Sequence, residues 1–211
     1  MLKLYFVRHG QTPLSRDNLF CGISNPDLTR EGYQMAQALA DYYGDSPWKA
    51  IYTSPMKRTI ETAQPLAKRA GLKIHTNAGL KEISYGKWEG KTVEVVKRRW
   101  GDDHIQWLAD PGWNAPTGGE TATQIAARAM PVIDGIRKTF NDGNVLIVSH
   151  KATIRIILCS LLGIDVGRFR YRLGMPVSSV SIVEFGRHGP LLKVLGDTIH
   201  LPEELRELPG T

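Results

Sequence analysis

Short apolar runs that end in polar residues alternate with stretches of helical periodicity along this sequence. Residues 4–7 form an apolar run that ends at Arg8 and His9, and residues 144–148 form a second run that ends near His150. Runs of this length, bounded by polar residues, are typical of buried strands. The pattern therefore predicts two central strands, each with a histidine at its carboxyl end.

Helical periodicity follows the predicted strands. Apolar positions recur at helical spacing between Thr29, a good N-cap residue, and Gly44, a good helix end. Ser54 as N-cap, followed by Pro55, predicts a second helix that ends at Gly71. Strands that alternate with helices predict the α/β class, with a mainly parallel central sheet flanked by helices on both faces.

The rest of the chain continues this alternation. Thr121 and Gln124 form a capping-box signature, which begins a long helix, and Gly163 ends another. Further strands are expected at residues 50–52, 72–75, 178–185 and 191–195, and further helices at residues 92–100, 121–140 and 153–162.

The length and the middle of the chain bear on its domain organisation. A chain of 211 residues suits one α/β domain, and we expect a single domain over residues 1–211. Residues 89–119 are richer in tryptophan and less regular, which predicts a small cap-like insertion over the sheet. Residues 196–211 form a charged C-terminal tail.

Composition favours an anionic ligand and disfavours several classes of protein. Apolar residues make up 42% and charged residues 23% of the chain, as in ordinary globular proteins. The net charge of +6 fits an anionic ligand, but there is no run of like charges, so we expect no nucleic-acid partner. No apolar stretch is long enough to span a bilayer and no signal-peptide pattern is present. We therefore expect a cytoplasmic protein without a membrane partner.

Cysteine usage indicates neither a disulfide scaffold nor a metal site. Cys21 and Cys159 are too few for the first and lack the spacing of metal ligands for the second. Cys159 lies in an apolar helical run, where a small core residue is the better interpretation.

Several chemically capable residues fall just past the ends of different predicted strands. Arg8 and His9 follow one strand, Arg58 lies in the first turn after the next, and His150 follows another. In parallel sheets the carboxyl ends of the strands form one rim, where ligands bind. Glu82 follows a further predicted strand and can reach the same place.

Two arginines and two histidines on one rim suit a phosphoryl group. Guanidinium groups match phosphate oxygens bidentately and stay charged. A histidine can act as a nucleophile through one ring nitrogen while a carbonyl or carboxylate holds the other. The pattern thus predicts a site for a phosphate ester, with His9 as the candidate nucleophile.

Five motifs lie at or beside these positions: residues 7–12 (VRHGQT), 54–59 (SPMKRT) with Thr62 and Ala63, 80–90 (LKEISYGKWEG), 118–120 (GGE) and 148–150 (VSH). In this order they resemble the motifs of the histidine phosphatase superfamily, in its phosphoglycerate-mutase-like branch. The resemblance covers essentially the whole chain. It implies the phosphoglycerate-mutase-like fold and is closest to the small bacterial phosphatases.

The resemblance implies a role for each residue of the rim. His9 would be the phosphorylated nucleophile, and Arg8, Arg58 and His150 would bind the phosphoryl oxygens. Glu82 would protonate the leaving alkoxide and then take a proton from the attacking water, a role that requires a neutral carboxyl at the start. The resemblance implies no metal and no other cofactor.

Three further residues are candidate substrate contacts. Many family members carry asparagine six residues after the nucleophile, where this chain has Ser15, whose hydroxyl has a shorter reach to a phosphate oxygen. Tyr85 lies three residues beyond Glu82 and is well placed to meet the leaving group. His200 in the tail either touches the substrate or is a surface histidine.

The family contains phosphatases and mutases, and hydrolysis is the prediction for this chain. Mutases of the family usually carry a longer insertion with paired basic residues, whereas the corresponding segment here is compact. Arg98 and Arg99 resemble such a pair, but a solvated helix face explains them better. The alternating Arg168, Arg170 and Arg172 are likewise interpreted as solvated surface.

The expected activity is metal-independent hydrolysis of a small-molecule phosphate ester through a phosphohistidine. Phosphoserine, a phosphosugar, a phosphoglycerate and a nucleotide-precursor phosphate such as α-ribazole phosphate are all candidate substrates, as is a broad range. A phosphoglycerate mutase and a catalytically silent phosphate-binding module are the alternatives. The final strand pair also offers an edge through which a homodimer could form.

Overall fold

Six β-strands form one sheet in the computed structural model, which describes residues 1–210 of the chain. The strand order across the sheet is β3-β2-β4-β1-β5-β6. In chain order the strands are β1 (Leu2–Arg8), β2 (Trp48–Thr53), β3 (Ile74–Thr76), β4 (Gly143–Ser149), β5 (Val180–Gly186) and β6 (Gly189–Asp197).

The sheet is mainly parallel, as the sequence predicts. Strand β1 pairs in parallel with β4, and β2 pairs in parallel with both β3 and β4. Strands β5 and β6 add an antiparallel hairpin at the β1 side. The carboxyl-terminal halves of β1 and β4 are buried, which explains why these two segments are the most apolar runs of the chain.

Helices connect the strands, and the longer ones lie where helical periodicity is present. Within residues 1–210, no helix is both long enough and apolar enough to cross a membrane. The helices are α1 (Pro13–Arg16), α2 (Arg30–Tyr43), α3 (Lys57–Ala70), α4 (Val93–Arg99), α5 (Gly101–Ala109), α6 (Ala122–Thr139), α7 (Lys151–Leu162), α8 (Phe169–Arg172) and α9 (Glu203–Arg206).

These helices cover both faces of the sheet, and β1 shows this best. Val7 lies in an apolar cluster with Leu39 of α2. Its neighbour Phe6 lies in a second cluster, with Ile133 of α6 and Ile156 of α7. Successive side chains of a strand point to opposite faces, so β1 is buried between two helical layers. The predicted architecture, a parallel sheet flanked on both faces, is confirmed.

The start of α3 differs from the sequence prediction. The helix begins at Lys57 with Met56 at the N-cap, and no side chain caps it there. Ser54, predicted as the N-cap, accepts a hydrogen bond from the Met56 N–H at 3.2 Å. Its Oγ also lies 2.8 Å from Nε2 of His150, across the rim of the sheet. A partner distant in sequence therefore shares this hydroxyl, and the helix starts later than the local signal indicates.

Residues 89–119 contain α4 and α5, of which only α4 is predicted. Trp107 of α5 packs with Trp88 in an apolar cluster, and Phe20 and Tyr85 pack against it. This aromatic cluster anchors the segment beside the carboxyl ends of the strands. Its description as an insertion within a single domain remains a prediction.

The C-terminal tail packs back onto the rest of the chain and contains the unpredicted helix α9. Leu201 and Leu205 share an apolar cluster with Met35 and Val177. The side-chain amide of Gln11 donates to the carbonyl oxygen of Pro209 at 2.8 Å. The tail therefore braces the loop that follows His9.

The edge of the sheet at β6 exposes two leucines, Leu191 and Leu195. The sequence suggests a homodimer through this strand pair. The dimer remains a prediction, because a solvated edge strand with two exposed leucines is also compatible with a monomer.

We predict that Thr121→Ala lowers the free energy of unfolding by about 1 kcal/mol, because α6 loses its capping box. Urea unfolding followed by circular dichroism measures the change. Thr139→Ala is the matched control: it lies at the exposed end of the same helix, where its hydroxyl only bonds the Gly135 carbonyl. Equal losses in the two variants would contradict the capping role.

Candidate active site

His9 lies immediately after β1, where the backbone leaves the sheet. Its backbone N–H donates to the carbonyl oxygen of Ser149 at 3.0 Å, and its side chain is buried. The ring Nδ1 lies 2.8 Å from the carbonyl oxygen of Gly10. A carbonyl oxygen can only accept, so Nδ1 carries the proton. The neutral ring therefore has an unprotonated Nε2, the form that a nucleophile requires.

The surroundings of His9 keep its ring neutral. Burial holds the pKa of His9 well below its usual value of 6.5, and the charges of Arg58 and Arg8 lower the pKa further. The hydrogen bond to Gly10 acts in the opposite direction and is the smaller effect. At neutral pH the ring is thus a free base beside two cations.

Arg8 is the last residue of β1 and is also buried. Its Nη1 donates to the carbonyl oxygen of Met175 at 2.8 Å. Burial lowers the pKa of Arg8 to about 10, and the attraction of Glu82 opposes this effect. Arg8 therefore remains a cation at neutral pH, next to the candidate nucleophile.

His150 follows β4 just as His9 follows β1, and the centroids of the two rings are 5.2 Å apart. Nε of Arg58 donates to Nδ1 of His150 at 3.2 Å. Nε2 of the neutral ring consequently carries the proton and donates to Oγ of Ser54 at 2.8 Å. Burial and then the charge of Arg58 hold the pKa of His150 well below 6.5. Both ring nitrogens are thus engaged within the protein.

Arg58 is fully buried in the first turn of α3 and binds the loop opposite. Its Nη1 donates to the carbonyl oxygen of Ser24 at 2.6 Å, and its Nη2 donates to that of Gly22 at 2.9 Å. In this arrangement Arg58 holds residues 22–24 against the rim. The charge of its guanidinium lowers the pKa of the His9 ring.

Glu82 is buried and is held by the first turn of α7. Its Oε2 accepts from the N–H of Ala152 at 3.2 Å, and its Oε1 accepts from the N–H of Thr153 at 3.2 Å. Oε1 also accepts from the N–H of Ile83 at 2.9 Å. The helix N-terminus and the residue after Glu82 therefore fix the carboxylate at the rim.

A cavity of about 480 Å³ opens at this rim. The predicted residues Arg8, His9, Glu82, Ser15 and Tyr85 all line it. Arg58 and His150 reach the same rim, where they bond each other, but they are not among the residues that line the cavity. The strand-end argument thus brings the nucleophile, one arginine and the carboxylate directly to one space.

Ser15 lies in the wall of the cavity with its hydroxyl already engaged. Oγ accepts from the N–H of Thr12 at 2.9 Å and donates to the carbonyl oxygen of Thr12 at 3.1 Å. The hydroxyl of Thr12 in turn accepts from the Ser15 N–H, which completes a capping box at α1. The pair shapes the loop after His9, a role that the sequence analysis did not assign to Ser15.

Tyr85 closes the cavity as part of the aromatic cluster. Its ring packs against Phe20 with centroids 4.9 Å apart and against Trp107 with centroids 6.2 Å apart. Burial raises the pKa of Tyr85, so the phenol is neutral and can donate a hydrogen bond to a ligand. Whether it meets the leaving group remains a prediction.

His200 lies outside this cavity, against the tail cluster. Its ring is buried with its centroid 5.8 Å from that of Tyr43. Neither of the two predicted locations fits, because the residue neither lines the cavity nor lies on the surface. The packing of the tail around Leu201 buries His200 away from the rim.

Besides Lys97 on α4, three cations that sequence reasoning did not assign to the site line the cavity: Lys151, Arg155 and Arg170. The interpretation of Arg170 as solvated surface is wrong, because its guanidinium lies 3.9 Å from the ring centroid of Trp107. A signal for the other two exists in the sequence. Lys151 follows His150 directly, and Arg155 lies four residues later, so both fall on one helix face.

The part of the chain that the structure describes contains no cluster of three or more histidine, cysteine, aspartate or glutamate side chains able to hold a metal ion. The polar groups at the rim are instead cations, neutral imidazoles and one carboxylate. This donor set suits an anionic ligand better than a metal ion.

The fold and the rim together define an α/β protein with a paired-histidine anion site. The family model of the histidine phosphatase superfamily (branch 1) matches residues 4–198. The chain belongs to this superfamily.

Three similar proteins illustrate the range of the family. Phosphoserine phosphatase 1 of Hydrogenobacter thermophilus is 30% identical over 203 residues, which cover 96% of either chain. A 2,3-bisphosphoglycerate-dependent phosphoglycerate mutase of Bartonella tribocorum is 30% identical over 169 residues, which cover 77% of this chain and 82% of the mutase. The solved structure of Bacillus stearothermophilus YhfR superposes with a TM-score of 0.88 at 27% identity, covering 95% of this chain and 99% of YhfR.

We predict that the protein loses stability as the pH falls below about 6.5. Burial lowers the pKa of His200 to about 4, with Arg206 acting in the same direction and Asp197 against it. Below pH 6.5 the unfolded chain binds a proton at His200 that the folded chain does not bind. The contribution of His200 to the free energy of unfolding is therefore complete above pH 6.5 and declines as the pH falls toward 4. For His200 alone, the loss between pH 7 and pH 5 is about 2 kcal/mol.

Urea unfolding at a series of pH values measures this dependence. His200→Asn removes one titrating group and should flatten the slope, whereas the exposed His188→Asn should leave it unchanged. His9 and His150 still titrate in the His200→Asn variant, so part of the slope remains. An identical slope in wild type and His200→Asn would show that His200 titrates normally.

Proposed function

We propose that this protein hydrolyses a small organic phosphate monoester through a phosphohistidine on His9. One observation carries the proposal: the Gly10 carbonyl holds Nδ1 of His9 at 2.8 Å, which leaves Nε2 as the unprotonated nitrogen in a residue that lines the cavity. The low pKa of the ring keeps this nitrogen available at neutral pH. Membership of the histidine phosphatase superfamily supports the assignment.

In the first step, Nε2 of His9 attacks phosphorus and the bond between phosphorus and the ester oxygen breaks. The alkoxide that leaves takes a proton from the carboxyl group of Glu82. In the second step, Glu82 takes a proton from a water molecule whose oxygen attacks the phosphohistidine. The phosphorus–nitrogen bond breaks, and inorganic phosphate and the neutral ring of His9 are released.

Arg8 and Arg58 supply positive charge where the transferred group is most negative. Arg8 lines the cavity and would bind a phosphoryl oxygen directly. Arg58 would act by its charge and by fixing the tautomer of His150 through the bond to Nδ1. Preorganised cations of this kind lower the barrier of phosphoryl transfer because they need no rearrangement during the reaction.

The relatives narrow the proposed range of substrates. The phosphoserine phosphatase matches almost the full length of the chain, and we propose a phosphoserine-like or broad specificity on that basis. We further propose that Ser15 braces the loop after His9 and that Tyr85 donates a hydrogen bond to the ester oxygen or its substituent.

A phosphoglycerate mutase is the second candidate, because one relative carries that name. The match to the mutase covers less of the chain than the match to the phosphatase. Arg98 and Arg99, the basic pair that resembles a mutase feature, are exposed on α4 and lie outside the cavity wall. These observations support hydrolysis over transfer between two hydroxyl groups.

We predict that His9→Ala reduces hydrolysis of p-nitrophenyl phosphate by at least about a thousandfold, because no nucleophile remains. The wild-type enzyme should also form a phosphorylated species that is stable to alkali and labile to acid, and that is lost in the variant. His188→Ala, at an exposed histidine, is the control. Activity should persist with a chelator present. Undiminished turnover by His9→Ala would refute the nucleophile.

We predict that Glu82→Gln slows hydrolysis of alkyl phosphates by about a hundredfold or more and that of p-nitrophenyl phosphate much less. The amide keeps the shape of the side chain but cannot give a proton to a poor leaving group. Steady-state kinetics on both substrates measures the difference, with the exposed Glu94→Gln as the control. Equal losses on the two substrates would contradict the proton-donor role.

A further inference from the structure

Besides Lys97 on α4, three cations line the cavity beyond the rim, and the reaction proposed above does not use them. Lys151 and Arg155 lie four residues apart on α7, and Arg170 lies on α8. We call these three residues the basic wall. Since residues four apart share a helix face, the fold brings two like charges together and adds a third from another helix.

The basic wall lacks counter-ions of its own. Within residues 1–210, no carboxylate oxygen lies within 4.0 Å of its charged nitrogens. The Nε atoms of Arg155 and Arg170 are buried without a hydrogen-bond partner. Glu82 is the single acidic residue among those that line the cavity, and its oxygens accept from N–H groups at the start of α7.

The wall is also held in position. The guanidinium of Arg170 lies over the ring of Trp107 at 3.9 Å from its centroid, and Trp107 is buried in the aromatic cluster. Arg155 emerges from the middle of α7, whose other face packs in the core. A cation on an aromatic face keeps its edge available for a bidentate anion.

This arrangement has an electrostatic cost when no anion is bound. Burial, and after it repulsion from Arg8, Arg155 and Arg170, lowers the pKa of Lys151 to about 7. Burial and the charge of Arg170 also lower the pKa of Arg155. Buried charges without partners destabilise a fold, so a ligand that supplies negative charge would relieve the strain.

We propose that the basic wall binds a second anionic group of the substrate, a carboxylate or another phosphate, while the phosphoryl group to be hydrolysed lies at His9. The inference rests on the proposed function and narrows its substrate class. Arg8 lines the cavity beside His9 and would bind the phosphoryl group there, which leaves the three cations of the wall for a further anion in the same cavity. Phosphate esters without a second anionic group would leave these charges unpaired.

The test compares substrates that differ in one charged group. 3-Phosphoglycerate against glycerol 3-phosphate tests a carboxylate, and fructose 1,6-bisphosphate against fructose 6-phosphate tests a second phosphate. In one of the two pairs, we expect kcat/KM of the wild type to be at least about tenfold higher for the compound with the additional anionic group. The pair with the larger ratio identifies the anion.

Arg155→Met and Arg170→Met should each reduce that ratio to within about threefold of unity. Arg98→Met, at an exposed arginine on α4, should keep the wild-type ratio and activity. Circular dichroism of each variant confirms that it is folded, and the ratio within one variant cancels any general loss of activity. A wild-type ratio near unity in both pairs, or a ratio that survives both substitutions, would overturn the inference.

A binding measurement separates this inference from the proposed hydrolysis. Titration calorimetry of the His9→Ala variant with 3-phosphoglycerate and with fructose 1,6-bisphosphate should show binding of at least one of them that Arg155→Met weakens at least about tenfold. If the wild type hydrolyses neither the four esters nor p-nitrophenyl phosphate but this binding is present, the proposed function fails and the anion site stands. If p-nitrophenyl phosphate is hydrolysed but this binding is not weakened, the function stands and the anion site fails.

Discussion

The in-register parallel pairing of β1 with β4 is the constraint on which the site depends. Arg8 pairs with Ser149, so the next residue on each strand is a histidine, and the two rings lie side by side at one rim. A slip of one residue would turn Val7 and Val148 toward the wrong helical layer. The same apolar packing that stabilises the sheet therefore also sets the distance between the two histidines.

The rim combines groups that stabilise one another poorly in the absence of an anion. Burial and neighbouring arginines keep His9 and His150 neutral, which suits a nucleophile and a hydrogen-bond partner of fixed tautomer. The same burial places cations where water solvates them weakly. A phosphoryl group meets both conditions at once, because it accepts hydrogen bonds from the cations and is attacked by the neutral ring. The residues of the site thus lower the stability of the fold when no anion is bound, and the same residues allow it to bind one.

The sequence was sufficient to predict the two histidines of the rim because each of them directly follows a buried apolar strand. His9 and His150 are identified by the strands that precede them, and the topological rule places their side chains together. The local rules fail where a side chain has a choice of partners. Ser54 has the pattern of an N-cap, yet its hydroxyl also bonds His150 across the sheet. His200 is buried because Leu201 anchors the tail, a contact between distant segments that no local pattern reveals.

The basic wall was not predicted for a related reason, because a contact between distant segments places one of its residues. That residue, Arg170, also stands apart from the elements that hold the reacting groups. Arg170 belongs to a short helix without periodicity, and only the stack on Trp107 turns its charge toward the cavity. The reacting groups stand on the ends of β1 and β4 or are held by the start of α7, where the sheet fixes them. Arg170 of the basic wall stands instead on α8 and against the aromatic cluster, which the strand register does not constrain. A substitution at Arg170 can therefore change which ester binds while the distance between the two histidines stays the same.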